Sequence, residues 1–147
     1  IDVSEKGALS VFHSKANVDD VELESRVKNH TLKLEIDDDG LEQDWLVKIP
    51  VSMSAKIDVG VGSVRIDDFT QELNVDVGVG EVTVNVADVD YSKISLDAGV
   101  GDTDMQGFNG KVKKESQFIS SATNYYGSDG ENIDIDVGVG DITVQKL

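Results

Sequence analysis

One ten-residue pattern occurs four times in this chain. The copies read Ile57-Asp-Val-Gly-Val-Gly-Ser-Val-Arg-Ile66, Val75-Asp-Val-Gly-Val-Gly-Glu-Val-Thr-Val84, Leu96-Asp-Ala-Gly-Val-Gly-Asp-Thr-Asp-Met105 and Ile135-Asp-Val-Gly-Val-Gly-Asp-Ile-Thr-Val144. We call them the first to fourth copies, in chain order. They recur about every 20 residues, except that the last step is about twice as long, and a period of this size is typical of stacked repeats. The long step predicts one degenerate copy between residues 107 and 130, with Phe118 and Ile119 pointing inward.

Each copy is predicted to form a strand, a corner and a second strand. In the first copy Ile57, Val59 and Val61 alternate with other residues, which places them on one face of a strand. The next apolar residue is Val64, so the alternation slips by one position at Gly62. Such a slip would turn the second strand inside out unless the chain bends there, and glycine tolerates the positive φ that a bend needs.

The stacking of these units decides the fold. A single unit is too small to bury its apolar face, so neighbouring copies are expected to stack. We predict an all-β chain, a parallel β-solenoid with coils of about 20 residues and neighbouring coils about 4.8 Å apart. The expected inward columns are Val59, Val77, Ala98, Val137 and Val64, Val82, Thr103, Ile142. An antiparallel sandwich or barrel uses the same alternation, but the recurrence of one corner favours the solenoid.

The 147 residues are interpreted as a single domain. Residues 56–147 carry the repeated coils, whereas residues 1–55 lack the glycine corner. Strands are expected there at 8–13, 21–27, 31–36 and 45–49, either as irregular early coils or as a cap over the first coil. Trp45 is expected to fill this cap.

The composition excludes several classes of partner and site. A net charge of −16 argues against nucleic acid or an anionic membrane surface as partner. No cysteine is present, so disulfides, zinc–thiolate sites and thiol nucleophiles are excluded. No apolar run approaches the roughly 18 residues of a membrane span, so direct membrane insertion of this chain is not expected.

The repeat consensus, preceded by Lys48-Ile-Pro-Val51, resembles the bacterial putative-adhesin, β-strand-repeat family. The resemblance covers roughly residues 45–147 well and the N-terminal third more loosely. It implies a right-handed, single-stranded parallel β-helix in an exported protein located in the periplasm, at the outer membrane or at the cell surface. It implies no catalytic residue, and its adhesin label rests on analogy between folds.

An aspartate recurs at the same outward position of every copy, and we call this set the aspartate column: Asp58, Asp76, Asp97 and Asp136. In stacked copies these carboxylates would lie about one strand spacing apart and repel one another. Calcium, which takes several carboxylate oxygens as ligands, would relieve the repulsion, so the column is a predicted calcium site. The alternative is that the carboxylates are simply solvated. A second outward set, the corner column, comprises Ser63, Glu81, Asp102 and Asp141.

Two further sets are candidates for ligand binding. The glycine stripe, Gly60, Gly78, Gly99 and Gly138, would let a partner backbone approach closely, unless glycine only relaxes the corner. Tyr125 and Tyr126, in a loop of small polar residues, are candidates for contact with a glycan or a protein; the alternative is that they pack against the flank.

The sequence does not indicate an enzyme. The two histidines, His13 and His30, have no metal-ligand spacing, and the Gly-x-Gly elements join strands rather than opening a helix. We therefore expect a non-catalytic interaction module that binds protein or glycan. The alternative is a structural or regulatory envelope scaffold whose copies assemble through the solenoid ends.

Overall fold

The computed structural model describes residues 2–3, 9–13, 22–28, 31–37 and 45–147, and side chains from residue 49 onward. These residues form strands and no helix, so the predicted all-β class is correct. The strands are β1 (Asp2–Val3), β2 (Leu9–His13), β3 (Glu22–Lys28), β4 (Thr31–Asp37), β5 (Trp45–Lys48), β6 (Ser54–Val61), β7 (Val64–Phe69), β8 (Leu73–Val79), β9 (Val82–Val86), β10 (Tyr91–Val100), β11 (Thr103–Gln106), β12 (Lys111–Gln117), β13 (Ser120–Tyr126), β14 (Glu131–Val139) and β15 (Ile142–Lys146). The four strands expected before residue 50 are present; the packing of Trp45 lies outside the described side chains.

Two sheets contain the repeats. The larger has eight strands in the order β12-β13-β10-β14-β8-β6-β4-β3, and the smaller has four in the order β11-β15-β9-β7. Strands β1, β2 and β5 form a separate antiparallel sheet. Each copy contributes its first strand to the larger sheet and its second strand to the smaller one. The predicted sequence of strand, corner and strand is therefore confirmed.

The corners have the backbone conformation that the sequence predicts. The second glycine of each copy has positive φ, with values of 152° at Gly62, 156° at Gly80, 142° at Gly101 and 142° at Gly140. At the last three positions an added Cβ would overlap the carbonyl oxygen of the corner glycine in the neighbouring copy. Both the bend and the stacking of the corners thus require glycine.

The copies stack in parallel and in register, but not in chain order. Asp58 pairs with Asp76, Asp76 with Asp136, and Asp136 with Asp97. The spatial order of the copies is first, second, fourth, third, so the expectation that successive copies are neighbours is wrong for the second and third copies. The smaller sheet has the same order.

A polar residue in the third copy accounts for its outer position. Thr103 occupies the inward column where the other copies carry valine or isoleucine, and it is fully buried. Its Oγ1 lies 2.8 Å from Ser121 Oγ and 2.7 Å from Thr123 Oγ1. Only a position beside β13 offers these partners, and a buried hydroxyl without a hydrogen bond would be costly.

The predicted degenerate copy between residues 107 and 130 is wrong. Strands β12 and β13 form an antiparallel hairpin, and β13 pairs antiparallel with β10 in the larger sheet. Gln117 pairs with Ser120, so Phe118 and Ile119 are the two turn residues, and both are exposed rather than inward. A two-residue loop joins antiparallel strands only, because parallel strands need a long crossover.

The core lies between the two sheets. Of the predicted inward columns, Val77, Ala98, Val137, Val82, Thr103 and Ile142 are buried, while Val59 and Val64 of the first copy are half-buried. At one end of the core the Tyr91 hydroxyl donates to the Phe69 carbonyl at 2.7 Å, and burial raises the pKa of Tyr91 to about 12. Parallel strands β10, β14, β8, β6 and β4 form the middle of the larger sheet, with antiparallel strands at both of its ends.

Candidate interaction surface

The aspartate column runs straight across the outer face of the larger sheet. Its members pair directly from strand to strand, so neighbouring carboxylates lie about one strand spacing apart. Asp136 is flanked by Asp76 and Asp97. Partial burial is the main cause that raises the pKa of Asp136 above its usual range, and the negative charges of Asp76, Asp97 and Asp134 raise it further.

A line of carboxylates differs from a chelating cluster. Among the described side chains, no three histidine, aspartate or glutamate residues come close enough together to hold a metal ion. Asp58 lies beside a lysine, with 3.8 Å between the Lys56 ammonium and the carboxylate. Calcium binding by the aspartate column stays a prediction.

The glycine stripe lies next to this column, two residues further along each strand. A Cβ added at Gly78 would lie 2.5 Å from the Gly60 carbonyl oxygen. One added at Gly138 would lie 2.6 Å from the Gly78 carbonyl oxygen, and one added at Gly99 would lie 2.8 Å from the Gly138 carbonyl oxygen. At Gly60 no atom of the described residues lies within 4 Å of an added Cβ. The close approach of neighbouring strands thus requires glycine at three of the four positions. Gly78→Val is therefore expected to destabilise the fold. Approach of a partner to the same stripe stays a prediction.

An exposed row of apolar side chains follows the glycine stripe. We call it the apolar ridge: Val61, Val79, Val139 and Val100 in spatial order, then Ile119 and Phe118. The valines pair in register across four strands. Val61 is 80% exposed and Val79 is 46% exposed, although alternation places them on the same face as Val59 and Val77. Each valine stands between the two glycines of a corner, and the bend turns its side chain to solvent.

Hydrogen bonds at the corners make the ridge continuous with the β12–β13 turn. The amide of Gly62 donates to the Val79 carbonyl at 2.9 Å. Two other corners repeat this bond: the Gly80 amide donates to the Val139 carbonyl at 2.9 Å, and the Gly140 amide donates to the Val100 carbonyl at 2.7 Å. The amide of Gly101 donates instead to the Ile119 carbonyl at 2.8 Å. Ile119 therefore takes the place beside Val100 that a valine holds in the other copies.

Phe118 at the end of the ridge has an unfavourable conformation for its residue type. It is fully exposed, and its φ of 31° lies in the left-handed region, which is uncommon for any residue but glycine, asparagine or aspartate. It is the first residue of a two-residue hairpin loop, a position that commonly holds glycine. An open cleft of about 480 Å³, lined by Val100, Asp102, Ile119 and other residues of the turn, lies beside it.

The ridge lies between two rows of mostly acidic residues. The aspartate column precedes it in each strand, and the corner column follows it, with Ser63, Glu81, Asp102 and Asp141 all exposed. Asp141 Oδ1 accepts from the Asp102 amide at 2.8 Å. The pKa of Asp102 is lowered mainly by a hydrogen bond from Lys114, and also by one from the Thr103 amide.

The two tyrosines lie on opposite faces of β13. Tyr125 is half-buried and packs against Phe108, with ring centroids 5.1 Å apart and planes tilted by 50°. Tyr126 is exposed and pairs with Lys93 and Lys111 of the flanking strands. The tyrosines therefore do not form one surface, and Tyr126 lies at the opposite end of β13 from the apolar ridge.

The apolar ridge is the feature that the sequence prediction missed. Alternation assigned Val61 to the inner face together with Ile57 and Val59. The available signal was the Gly-Val-Gly context of each valine, because a side chain held between two corner residues need not follow the alternation of the strand before it.

Comparison with known proteins adds one structural similarity. No protein-family model matches the chain, and no curated protein matches it in sequence. A crystal structure described as a "putative cell adhesion protein from Clostridium sporogenes ATCC 15579" aligns over 99% of this chain and 85% of its own, with 20% identity and a TM-score of 0.45. In the part of this chain that the structure describes, no helix is long and apolar enough to cross a membrane.

Proposed function

We propose that this protein is a non-catalytic, adhesin-like interaction module that binds a partner protein through the apolar ridge. The observation that carries the proposal is the ridge itself: six exposed apolar residues lie side by side on a chain whose net charge is −16. Contiguous exposed apolar surface in a soluble protein marks interaction sites. Five of the six ridge residues are aliphatic and offer a glycan neither a stacking surface nor hydrogen bonds, so the ridge favours protein over glycan.

The architecture that we propose for the repeats is a right-handed parallel β-solenoid. The in-register parallel pairing of all four copies supports it, with the third copy displaced to the outer side of the fourth. The resemblance of the repeat consensus to exported proteins supports a location in the periplasm, at the outer membrane or at the cell surface.

Site-specific photo-crosslinking in the producing cells tests the interaction. A benzophenone amino acid at position 79 or 118 is expected to give discrete adducts with another protein. The same amino acid at Val51, which is 77% exposed and lies off the ridge, serves as the matched control. Equal adduct patterns at positions 51 and 79 would contradict the proposal.

Protease treatment of intact cells tests the location. Digestion of the protein on intact cells would place it at the surface, and protection that ends on permeabilising the outer membrane would place it in the periplasm. Protection that persists until the cytoplasm is released would contradict export.

The second candidate function is a scaffold that assembles through its ends. The observation in its favour is the edge strand β12, whose seven residues are all exposed and whose outer side pairs with no described strand. Such an edge can add a strand from another chain, although its three lysines disfavour pairing with a like-charged strand. Sedimentation that depends on protein concentration would support the scaffold, whereas a monomer at all concentrations would exclude it.

A further inference from the structure

We propose that the partner segment of the apolar ridge is a basic amphipathic helix, whose apolar face contacts the valines and whose lysine or arginine side chains reach the acidic rows on either side. This inference rests on the proposed function and adds the chemistry of the partner to it. Three properties of the surface lead to it: the spacing of the ridge residues, the charge of the flanking rows, and the glycine stripe between the ridge and the aspartate column.

The spacing of the ridge matches a helix. Side chains from Val61 to Ile119 occupy five successive strand positions, so the ridge is on the order of 20 Å long with a repeat of about 4.8 Å. A helix rises about 5.4 Å per turn and presents apolar residues every three or four positions. An extended strand laid along the ridge would repeat about every 6.7 Å on one face, which fits less well.

The flanking charge selects a cationic partner. Among the described side chains, no lysine or arginine forms an ion pair with Asp76, Asp97, Asp136 or Glu81. Carboxylates arranged in register without counter-charges repel one another, and basic side chains from a partner would relieve this repulsion. Partial burial and the neighbouring aspartates raise the pKa of Asp136, which agrees with a local excess of negative charge.

The same charge disfavours the other occupants of an apolar surface. A second copy would bring its own −16 against these rows, and an anionic membrane would be repelled. Along each strand a residue of the glycine stripe, which has no side chain, stands between the aspartate column and the ridge.

A synthetic peptide tests the inference on the intact chain. The probe is a fluorescent peptide of leucine and lysine with leucines at helical spacing; its controls are a peptide of equal composition with strictly alternating leucines, and one with glutamate in place of lysine. The helical peptide is expected to bind with at least tenfold higher affinity than either control. Affinity is expected to fall several-fold between about 20 and 200 mM salt, because the exposed charges are then screened.

Variants of the chain locate the binding. Val79→Ser with Val139→Ser is expected to weaken binding of the helical peptide at least tenfold, and Phe118→Ser, at a fully exposed position, serves if the double variant folds poorly. Asp76→Asn with Asp97→Asn is expected to weaken binding at low salt only. The matched control is Val51→Ser with Val89→Ser, which changes two exposed valines off the ridge and is expected to leave affinity unchanged.

Three outcomes would overturn the inference: equal binding of the helical and alternating peptides, equal binding by the ridge and control variants, or a homodimer that the ridge substitutions abolish. Photo-crosslinking separates this failure from that of the proposed function. Adducts at position 79 without peptide binding would reject the basic helix as partner but leave the proposed interaction module standing. The absence of adducts together with the absence of peptide binding would reject the helix and the module alike.

Discussion

Individual glycines in the outer face differ in what they contact, although the sequence presents them identically. Gly138 needs the absence of a side chain because the Gly78 carbonyl oxygen lies only 2.6 Å from the place of its Cβ, whereas no atom of the described residues lies within 4 Å of a Cβ added at Gly60. The pattern Asp-Val-Gly-Val is the same at both positions. The difference arises only from which strand lies alongside, and this cannot be deduced from a single copy.

A pair of alanine substitutions measures this difference. Gly138→Ala places a Cβ 2.6 Å from a backbone oxygen and is expected to lower the free energy of unfolding by about 1–3 kcal/mol, a typical cost of overpacking. Gly60→Ala makes no such contact with the described residues and is expected to change the free energy of unfolding by less than about 0.5 kcal/mol. Chemical denaturation of both variants measures the effect, and equal losses would disprove the close approach of β14 to β8.

Asp136 predicts a pH-dependent stability. Its pKa in the folded state is raised above the unfolded value of about 3.9, so the folded state retains the proton over the interval between the two. Stability therefore falls as the pH rises through that interval, and the ionised carboxylate is unfavourable above it. Asp136→Asn is expected to raise the Tm at pH 7 and to leave it nearly unchanged near pH 3. Glu81→Gln, which removes one charge from the corner column, is the control; a Tm increase that is equal at both pH values would contradict the assignment.

At the scale of elements, alternation predicted each strand pair but not the order of the copies. Inward residues such as Val77 and Val137 are nearly interchangeable, so any stacking order buries them equally well. Thr103 breaks the equivalence, since it needs hydroxyl partners. The hairpin of β12 and β13 escaped prediction because its inward residues include Ser121 and Thr123, which do not give the apolar alternation of a buried strand.

Removing one hydroxyl tests why the third copy lies beside β13. Thr103→Val keeps the shape of the side chain but leaves the buried Ser121 and Thr123 hydroxyls without their shared partner. The free energy of unfolding is expected to fall by about 1–3 kcal/mol. Thr143→Val, on the outer face of the neighbouring strand β15, is expected to have little effect. Thermal or urea unfolding distinguishes the two, and a fully stable Thr103→Val variant would remove the hydroxyl cluster as the cause of the copy order.

For the molecule as a whole, the sequence correctly predicted the all-β class. Its net charge determines how the stability of the fold responds to salt. Self-repulsion at −16 opposes the compact state, and added salt screens it over the Debye length, about 10 Å at 0.1 M. The Tm is therefore expected to rise between about 10 and 150 mM NaCl. Calcium chloride at matched ionic strength separates screening from binding: a larger increase that a chelator reverses would support calcium at the aspartate column, and an equal increase would contradict it.

The displaced third copy has a consequence for synthesis of the chain. Strand β14, which comes later in the chain than both β8 and β10, lies between them, and β15 lies likewise between β9 and β11. While a ribosome is still making residues 131–146, β8 and β10 lack the neighbour that joins them, and their open edges are free to pair with other chains. Late closure by distant strands slows folding. A chain ending at residue 130 is expected to be recovered mainly in aggregates, and a soluble, cooperatively unfolding product of that length would show that the second and third copies can pair without the fourth.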